Sequence, residues 1–321
     1  MTVERKWNEM AFEMPKETTE SKIREVTLGT GDVKVGGENV LPFYTFEGSM
    51  PNRPKIAVEV YDDNPTEWSP VVAGPLADVL SDPVAWAKKA QDEWCADIIA
   101  LRLKSTDPKG YDRSAEDAAQ TAKAVVEAVT IPVIIYGAED AEKDGEVLKA
   151  AAMATEGKNV VLGPANEDNF KKIGAAALGY KQTVAAKTPI DVNLAKQLNI
   201  LLSNLGVDVG NIIVDPTTGA LGYGLEYTYS VMERFKIAAL RQDDGMTQMP
   251  LIADVGPEAW KAKEAKAPAA DEPQWGDENK RGILWEILTA SCLLIAGADI
   301  LIMRHPEAIK TVRKVIDSLM S

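Results

Sequence analysis

The segment best suited to meeting a ligand is Asp215-Pro-Thr-Thr-Gly-Ala-Leu-Gly-Tyr-Gly224, which follows an apolar run. It combines an Asp-Pro pair with two threonines and three glycines. Glycines let a backbone approach a ligand closely, and free N–H groups near the start of a helix can meet carbonyl or phosphate oxygens. The same glycines would also suit a tight turn with positive φ angles. The segment therefore predicts either a ligand-contacting loop or a turn that only reverses the chain.

Other polar side chains follow apolar runs elsewhere in the chain. Asn166, Lys187, Thr188 and Asp254 each stand at the end of such a run, and His305 is the only histidine. A zinc site needs several nitrogen or sulfur ligands, and one histidine with two distant cysteines does not supply them, so no metal site is predicted. Because His305 precedes a proline, it suits a helix cap as well as a hydrogen bond at a binding site.

The two aspartates that end apolar runs allow two interpretations. Asp215 and Asp254 could act as acid–base groups or bind the ring of a pterin. They could instead form salt bridges with Lys187 or Arg304, which would lower their pKa values and leave them a structural role. The sequence does not separate these alternatives.

Eight short β-rich runs alternate with amphipathic helical segments and must position these side chains. The runs are apolar on both faces, which is typical of parallel strands buried between helices and core. Each gap holds one crossover helix, as right-handed strand–helix–strand units require. Eight such units predict an α/β fold, a (β/α)8 TIM barrel with its binding sites at the strand ends. The predicted strands are 55–61, 97–103, 133–137, 159–163, 182–186, 211–215, 251–255 and 299–303.

The chain is predicted to form an N-terminal arm, 1–22, and one TIM-barrel domain, 23–321. Residues 1–22 are largely polar and suggest a mobile or partner-bound arm. Within 23–50, Val26-Thr-Leu28 and Phe43-Tyr-Thr-Phe46 predict a β-hairpin that plugs the bottom of the barrel. Residues 257–280 are rich in alanine, proline and charge, and they predict a long loop on the top rim. This loop is either a functional lid, with Trp260 and Trp275 available to dock a partner, or a solvated insertion.

Composition excludes several classes of function. The net charge of −14 and the pI of about 4.7 disfavour nucleic acid or an anionic membrane as a partner. The longest apolar run, 287–298, is shorter than the roughly 20 residues of a membrane span, and the N-terminus has no signal peptide, so a cytoplasmic protein is expected. Cys95 and Cys292 are predicted to be buried apolar residues. Two cysteines cannot hold a four-iron cluster, which needs about four thiolates.

Three segments resemble the small (delta) subunit of the corrinoid iron–sulfur protein, that is, the acetyl-CoA decarbonylase/synthase delta subunit family. The most specific is Asp215-Pro-Thr-Thr-Gly-Ala-Leu-Gly-Tyr-Gly-Leu-Glu-Tyr-Thr-Tyr-Ser-Val-Met-Glu-Arg234. Val35-Gly-Gly-Glu-Asn39 and Asn52-Arg-Pro-Lys-Ile-Ala-Val-Glu-Val60 support it. The resemblance extends from about residue 23 to the C-terminus, and it implies a barrel similar to pterin-dependent methyltransferases.

The resemblance implies a methyl carrier in the reductive acetyl-CoA (Wood–Ljungdahl) pathway of carbon fixation. A large subunit would carry the [4Fe–4S] cluster and most of the domain that binds the cobamide, a cobalt corrinoid of the cobalamin type. A separate methyltransferase would supply methyl groups from methyltetrahydrofolate, and acetyl-CoA synthase/CO dehydrogenase would receive them. This chain lacks the Asp-x-His-x-x-Gly motif by which many cobalamin proteins ligate cobalt. It is therefore expected to share the cobamide with the large subunit.

The expected role of this chain is to cover the cobamide, with no catalytic residue of its own. A barrel rim can offer a corrin an apolar surface together with backbone and hydroxyl hydrogen bonds. The alternative is a methyltransferase that itself binds methyltetrahydropterin through Asp215, Asp254 and Asn166. A purely structural scaffold is the third possibility. The residues predicted to bind the cofactor are Thr217, Thr218, Gly219, Leu221, Gly222 and Tyr223, with Thr188, Asn166 and His305 as weaker candidates.

Overall fold

The computed structural model describes residues 15–321, and eight parallel strands form a ring at its centre. Neighbours pair in chain order from the first to the sixth strand of the ring, and the last strand pairs with both the first and the seventh. A bridge between Val214 and Leu251 joins the sixth strand to the seventh and completes the ring. The strands are β3 (Lys55–Tyr61), β4 (Ile98–Arg102), β5 (Val133–Tyr136), β6 (Val161–Ala165), β7 (Thr183–Lys187), β8 (Ile212–Asp215), β9 (Ile252–Asp254) and β10 (Ile300–Met303).

The predicted (β/α)8 barrel is therefore confirmed. Every predicted strand is present, with its bounds displaced by at most two residues; the largest displacement is that of β6, predicted at 159–163. The strands are buried on both faces because one face points to the barrel interior and the other to the surrounding helices. That double burial is the reason that their sequences are continuously apolar.

Helices follow the strands and surround the ring. Asp82, Ser114 and Asp191 accept hydrogen bonds from backbone N–H groups at the starts of three helices, as their residue types predict. The helices are α1 (Pro70–Ala73), α2 (Pro83–Asp92), α3 (Ala115–Ala128), α4 (Ala141–Ala154), α5 (Phe170–Tyr180), α6 (Val192–Leu205), α7 (Leu225–Arg241), α8 (Val255–Lys261), α9 (Lys263–Lys266), α10 (Glu278–Ala296) and α11 (Pro306–Leu319).

A hairpin before the barrel packs into the amino-terminal end of the ring. Its strands are β1 (Val26–Leu28) and β2 (Val33–Val35), which pair antiparallel. The side chains of Val26, Leu28 and Val35 join the buried cluster inside the ring, together with Ile134 and Ile300 among others. The predicted hairpin extension is therefore confirmed.

Part of the predicted hairpin is not a strand. Phe43–Phe46 lies in a turn, where Tyr44 N donates to Leu41 O over 2.9 Å. The antiparallel pair forms between β1 and β2 instead, and this aromatic segment pairs with neither strand. Tyr44 and Phe46 instead stand half-exposed on the surface, with ring centroids 5.3 Å apart.

A buried lysine connects the segment before the barrel to the ring itself. Lys236 of α7 binds Glu38, and its Nζ lies 2.8 Å from Asp299 Oδ2, just before β10. Asp299 Oδ2 also accepts a 2.7 Å hydrogen bond from Leu251 N, at the start of β9. One ammonium group therefore ties together the extension, a helix and the bottom of two strands.

The segment predicted as a long rim loop is partly helical. Residues 257–280 include most of α8, all of α9 and the start of α10, so the expectation of an irregular loop is wrong for those residues. Buried apolar side chains, such as Trp260 and Ala265, explain why the chain does not extend freely into solvent there. Arg281 further holds the segment by donating to Glu264 O and Ala267 O.

Three further expectations have different outcomes. Residues 1–14 of the predicted arm lie outside the described residues, and the division at residue 23 stays a prediction. Among residues 15–321, no helix is both long enough and apolar enough to cross a membrane. The prediction of two buried cysteines is wrong: Cys95 is exposed and Cys292 is half-buried. Cys95 follows the end of α2 with a positive φ angle, in a turn that the sequence pattern did not reveal.

Candidate functional site

The mouth of the barrel, at the carboxyl ends of the strands, is filled by a network of buried ion pairs. Glu59 of β3 binds both Arg102 of β4 and Arg304, which follows β10; Arg304 Nε lies 2.7 Å from Glu59 Oε2. Arg102 also binds Asp254 at the end of β9. All four side chains are less than a tenth exposed. The network therefore occupies the space in which other barrels hold a substrate.

Aromatic side chains cover one side of this network. The guanidinium carbon of Arg304 lies 4.0 Å from the ring centre of Trp68, and its terminal nitrogen donates to Tyr61 Oη over 3.2 Å. The rings of Tyr61 and Trp68 meet edge to face at 5.1 Å. Burial raises the pKa of Tyr61, so its hydroxyl stays neutral and can accept this bond. A cavity of about 140 Å³ lies beside them, lined also by Trp260 and Lys266.

The ion pairs determine the charge of the carboxyl group at the end of β9. Burial by itself would raise the pKa of Asp254, but Arg102 and Lys187 hold it below its ordinary value. Asp254 is therefore an ionised group that Arg102 already neutralises. Of the two alternatives that the sequence left open for this residue, the geometry supports the salt bridge, although the partner is Arg102 and not Lys187 or Arg304.

A second group of buried polar atoms lies at the ends of β5, β7 and β8. Burial raises the pKa of Asp215 to about 6, which Lys187 partly offsets. Asp215 Oδ1 accepts from Thr217 N over 2.9 Å. Asp215 Oδ2, Tyr136 Oη and Thr188 Oγ1 are buried without a hydrogen-bond partner among the described residues. Such atoms normally bond to protein, water or ligand, so this part of the mouth has unused hydrogen-bonding capacity.

The threonines after β8 use their hydroxyl groups to hold the loop in place. Thr217 Oγ1 donates to Thr188 O over 2.6 Å, and Thr218 Oγ1 accepts from Asp254 N over 2.7 Å. Gly219 N donates to Thr228 Oγ1, and a Cβ at Gly219 would lie 2.6 Å from the carbonyl carbon and oxygen of Gly224. Glycine is required here because two parts of the loop backbone pack against each other.

The tip of the same loop faces outward. Trp285 Nε1 donates to Leu221 O over 2.8 Å, so α10 supports the tip from below. Gly222 is exposed with a φ angle of +74°, and Tyr223 is 51% exposed. Tyr223 Oη donates to Glu264 Oε2 over 3.0 Å and accepts from Lys263 N over 3.1 Å. The loop tip and the helical segment around α9 therefore form one continuous part of the rim.

Asn166 and His305 lie apart from this loop and have structural contacts of their own. Asn166 Oδ1 accepts from the backbone N–H groups of Asp168 and Asn169, at the turn before α5. Asn166 also lines a cavity of about 270 Å³ with Lys187 and Thr188. His305 is buried, burial lowers its pKa, and its Nδ1 accepts from Glu307 N over 3.2 Å. His305 is thus the N-cap of α11, one of the two roles that its position allowed.

The nine predicted site residues therefore fall into four places. The structure brings Thr188, Thr217, Thr218 and Gly219 together inside the mouth, and it presents Leu221, Gly222 and Tyr223 on the rim. Asn166 lines a cavity together with Thr188, at the side of the mouth away from the loop tip, and His305 lies against Trp260, with ring centroids 5.9 Å apart. Whether any of the nine contacts a cofactor stays a prediction.

Sequence reasoning missed two buried carboxylates. Glu59 organises the mouth, and Glu286 of α10 accepts from Trp260 Nε1 over 2.8 Å and from the backbone N–H groups of Arg304 and His305. Glu59 carried a usable signal, because it is the only acidic residue of β3 and stands between apolar residues of a buried strand. Glu286 stands in a long apolar helix in the same way.

No cluster within residues 15–321 resembles a metal site. Groups of three or more histidine, cysteine, aspartate or glutamate side chains in positions to hold a metal ion are absent from this part of the chain. His305, the only histidine, already uses Nδ1 as a cap and is buried. What the rim offers a large ligand is the exposed tip of the loop: an apolar side chain, a glycine backbone and a tyrosine hydroxyl.

Comparison with known proteins gives a consistent family. Residues 25–316 match the model of the CO dehydrogenase/acetyl-CoA synthase delta subunit family. The acetyl-CoA decarbonylase/synthase complex subunit delta of Archaeoglobus fulgidus is 37% identical over 322 residues, which cover 96% of this chain and 71% of that protein. Subunit delta 1 of Methanosarcina thermophila is 38% identical over 313 residues, with 93% and 71% covered.

Similar solved structures are dihydropteroate synthases. That of Xanthomonas albilineans with 4-aminobenzoic acid has a TM-score of 0.56 at 15% identity and covers 84% of this chain and 94% of its own. That of Thermus thermophilus has a TM-score of 0.55 at 15% identity and covers 93% and 100%. At such low identity the likeness shows the barrel fold alone.

Proposed function

The chain belongs to the CO dehydrogenase/acetyl-CoA synthase delta subunit family, and from that premise we propose that it is the small subunit of a heterodimeric corrinoid iron–sulfur methyl carrier. Its role is to cover a cobamide held with the large subunit, which also carries the [4Fe–4S] cluster. The pair receives methyl groups from methyltetrahydrofolate through a methyltransferase and delivers them to acetyl-CoA synthase/CO dehydrogenase. The chain itself contributes no catalytic residue.

The observation that carries this proposal is the filled mouth of the barrel. Glu59, Arg102, Asp254 and Arg304 form one connected network of buried ion pairs in the mouth of the ring. A barrel that binds a small substrate in its mouth needs a concave site there. A barrel that covers a flat macrocycle needs only a rigid rim, and a buried ion-pair network below the rim makes it rigid.

The exposed loop tip has the chemistry that a corrin edge requires. A corrin presents an apolar ring face bordered by amide side chains. Leu221 supplies apolar surface, Gly222 leaves the backbone accessible, and the hydroxyl of Tyr223 can exchange its contact with Glu264 for an amide. Thr217, Thr218 and Gly219 support the tip from within the barrel. Thr188, Asn166 and His305 remain weaker candidates because each has structural contacts and lies away from the tip.

When bound, the cobamide supplies a nucleophilic cobalt that accepts and donates the methyl group. The residues of this chain then have two tasks: to exclude water from one face of the corrin and to orient its edge. Buried His305 is not available as a ligand to cobalt. Any protein ligand to the metal would therefore belong to the large subunit, in agreement with the missing Asp-x-His-x-x-Gly motif.

The competing function, direct binding of a methylated pterin, has one observation in its favour. Asp215 Oδ2, Tyr136 Oη and Thr188 Oγ1 are buried and unused among the described residues. However, Asp215 is fully buried, Asp254 is bound to Arg102, and the side-chain oxygen of Asn166 already accepts two backbone bonds. A pterin would need these three groups to be free and accessible together.

Two measurements separate the proposed functions. The visible spectrum of the purified chain should be colourless, and the chain purified with its large subunit should show corrinoid and iron–sulfur absorbance. Titration calorimetry of the isolated chain with methyltetrahydrofolate should show no binding. Micromolar binding of methyltetrahydrofolate would favour the methyltransferase, and a colourless stable pair would favour a scaffold without a corrin.

The loop tip is tested by Tyr223→Ala in the assembled pair. Loss of an aromatic contact of about 1–2 kcal/mol should weaken cobamide retention by roughly 5–30-fold, measured as cobamide released during equilibrium dialysis. Met153→Ala, at an exposed apolar residue near the end of α4, is the matched control and should retain cobamide as the unchanged pair does. Equal retention by both variants would remove Tyr223 from the corrin contact.

A further inference from the structure

The outer face of α10 is apolar, although it is open to solvent in the described part of the chain. Leu284, Leu288 and Ile295 are about half-exposed at helical spacings of four and seven residues. No charged residue follows Glu286 in this helix. By contrast, α11 presents Lys310, Lys314 and Asp317 to solvent, as a surface helix normally does. A helical segment that is apolar on its outer face as well as its inner face is expected to be covered on the outer side.

Aromatic residues extend this face on its α7 side. Tyr229 of α7 lies close enough to Cys292 of α10 and to Tyr44 for both to influence its titration. Its pKa is raised by burial first, and then by Glu233, Cys292 and Tyr44. Pro42, just before Tyr44 and Phe46, approaches the end of α10: its Cγ would be 3.3 Å from a Cβ at Gly297. We call the surface formed by Tyr44, Phe46, Tyr227, Leu284, Leu288 and Ile295 the α10 face; its members are 45–64% exposed.

The size of the α10 face exceeds what surface residues scattered singly would give. Half-exposed aromatic and branched side chains leave roughly 80–100 Å² each open, so six of them contribute on the order of 500 Å². A stable protein–protein interface buries about 800 Å² on each partner. The face therefore has the dimensions of an interface core, which a polar rim around it would complete.

The α10 face is continuous with the rim at the mouth of the barrel. Trp285, next to Leu284, donates to Leu221 O, and its ring lies 3.9 Å from the position of a Cβ at Gly222. Tyr227 lies in the first turn of α7, shortly after the loop tip, and its Cδ2 lies 3.6 Å from the position of a Cβ at Gly224. A protein that holds a large ligand against the loop tip would therefore lie next to the α10 face.

We propose that the α10 face is the docking surface for the cobamide-holding large subunit. This inference rests on the proposed function and adds to it the place at which the two subunits meet. The partner surface must be apolar and poor in charge, since the α10 face offers it few groups that could form ion pairs. Binding there would place the partner beside Leu221, Gly222 and Tyr223, where the corrin edge is proposed to lie.

The test is Leu288→Lys, with Leu178→Lys as the matched control. Both leucines are exposed on helices, Leu288 on α10 and Leu178 on α5. A lysine at the centre of an apolar interface should weaken binding to the purified large subunit tenfold or more, measured by titration calorimetry. The control should bind as the unchanged chain does. Thermal unfolding of both variants checks that the lysine has not altered the fold.

Hydrogen exchange gives an independent readout without substitution. The amides of residues 284–296 should gain protection when the large subunit binds, whereas those of 170–180 should not. Equal affinity of Leu288→Lys and the unchanged chain would overturn the inference while leaving the proposed function intact. A self-associating chain that Leu288→Lys renders monomeric would overturn it in favour of a second copy. Failure of the unchanged chain to bind the large subunit would contradict the proposed function itself.

Discussion

At the scale of single residues, the charge balance of the mouth depends on Arg102. This guanidinium is buried between Glu59 and Asp254, and among the described residues it is the only group that forms an ion pair with Asp254. A buried ion pair contributes little compared with apolar packing, but the loss of one partner leaves an uncompensated charge. Arg102 is therefore expected to be important to the stability of the fold.

We predict that Arg102→Met lowers the free energy of unfolding by about 3–5 kcal/mol, because it leaves a buried carboxylate in the mouth without its ion-pair partner. Urea denaturation followed by circular dichroism measures this loss. Arg53→Met removes an arginine from an exposed pair with Asp317 and should cost at most about 1 kcal/mol. Similar losses in the two variants would show that the mouth is more hydrated than its burial indicates.

At the level of single residues, only part of the candidate site could be predicted from the sequence. The sequence placed Asp215 to Tyr223 at a strand end, and the structure places the loop at the mouth. It could not reveal that Thr217 and Thr218 face inward, since the direction of a hydroxyl depends on Thr188 and Asp254, which belong to distant strands. For the same reason it could not foresee the pairing of Arg102 with Glu59.

At the scale of elements, the loop between β8 and α7 depends on close backbone packing. We predict that Gly219→Ala lowers the melting temperature markedly, because the added methyl group would meet the Gly224 carbonyl at 2.6 Å and cost about 1–3 kcal/mol. Gly222→Ala should cost about 1 kcal/mol, since it introduces backbone strain at a positive φ angle but no close contact. Gly31→Ala has open space around it and is the control. Scanning calorimetry orders the three variants; a Gly219→Ala protein as stable as the control would contradict this packing.

The elements themselves were largely predictable because they obey local rules. The strands between β3 and β10 are continuously apolar, and helices such as α2 and α6 begin at side chains that cap them. Errors arose where tertiary contacts decide the conformation. Trp260 holds α8 against α10 by donating a hydrogen bond to Glu286, and no local sequence pattern in 257–280 predicts that contact. Phe43–Phe46 has a β-like composition but lies in a turn.

At the scale of the whole molecule, two buried carboxyl groups couple folding to pH. Burial raises the pKa of Glu286 to about 7, although three N–H groups that donate hydrogen bonds to this carboxyl group favour a lower pKa. Burial and neighbouring Glu38 raise the pKa of Asp299 to about 7, and Lys236 opposes them. The folded chain therefore holds protons that the unfolded chain releases near pH 4 to 4.5. The contribution of these groups to stability is complete below that range and is lost as the pH rises to about 7.

We predict that the unchanged chain loses stability relative to Glu286→Gln as the pH rises from 5 to 8, by about 1–3 kcal/mol. The glutamine cannot ionise, so comparing the two proteins isolates the titration of Glu286 from that of Asp299 and His305. Urea denaturation at several pH values gives the difference. Glu127→Gln, at an exposed glutamate of α3, should leave the profile of the unchanged chain as it is. A difference independent of pH would mean that Glu286 is ionised throughout.

The pairing of β3 with β10 has a consequence for biosynthesis. Ile300 to Met303 pair with Lys55 to Val58, so the first strand of the ring depends on the last. At 5–20 residues per second, a ribosome needs roughly 10–50 s to make the intervening chain. Throughout that interval the edge of β3 stays open to other polypeptides, and the cell must protect it until translation has delivered its neighbour.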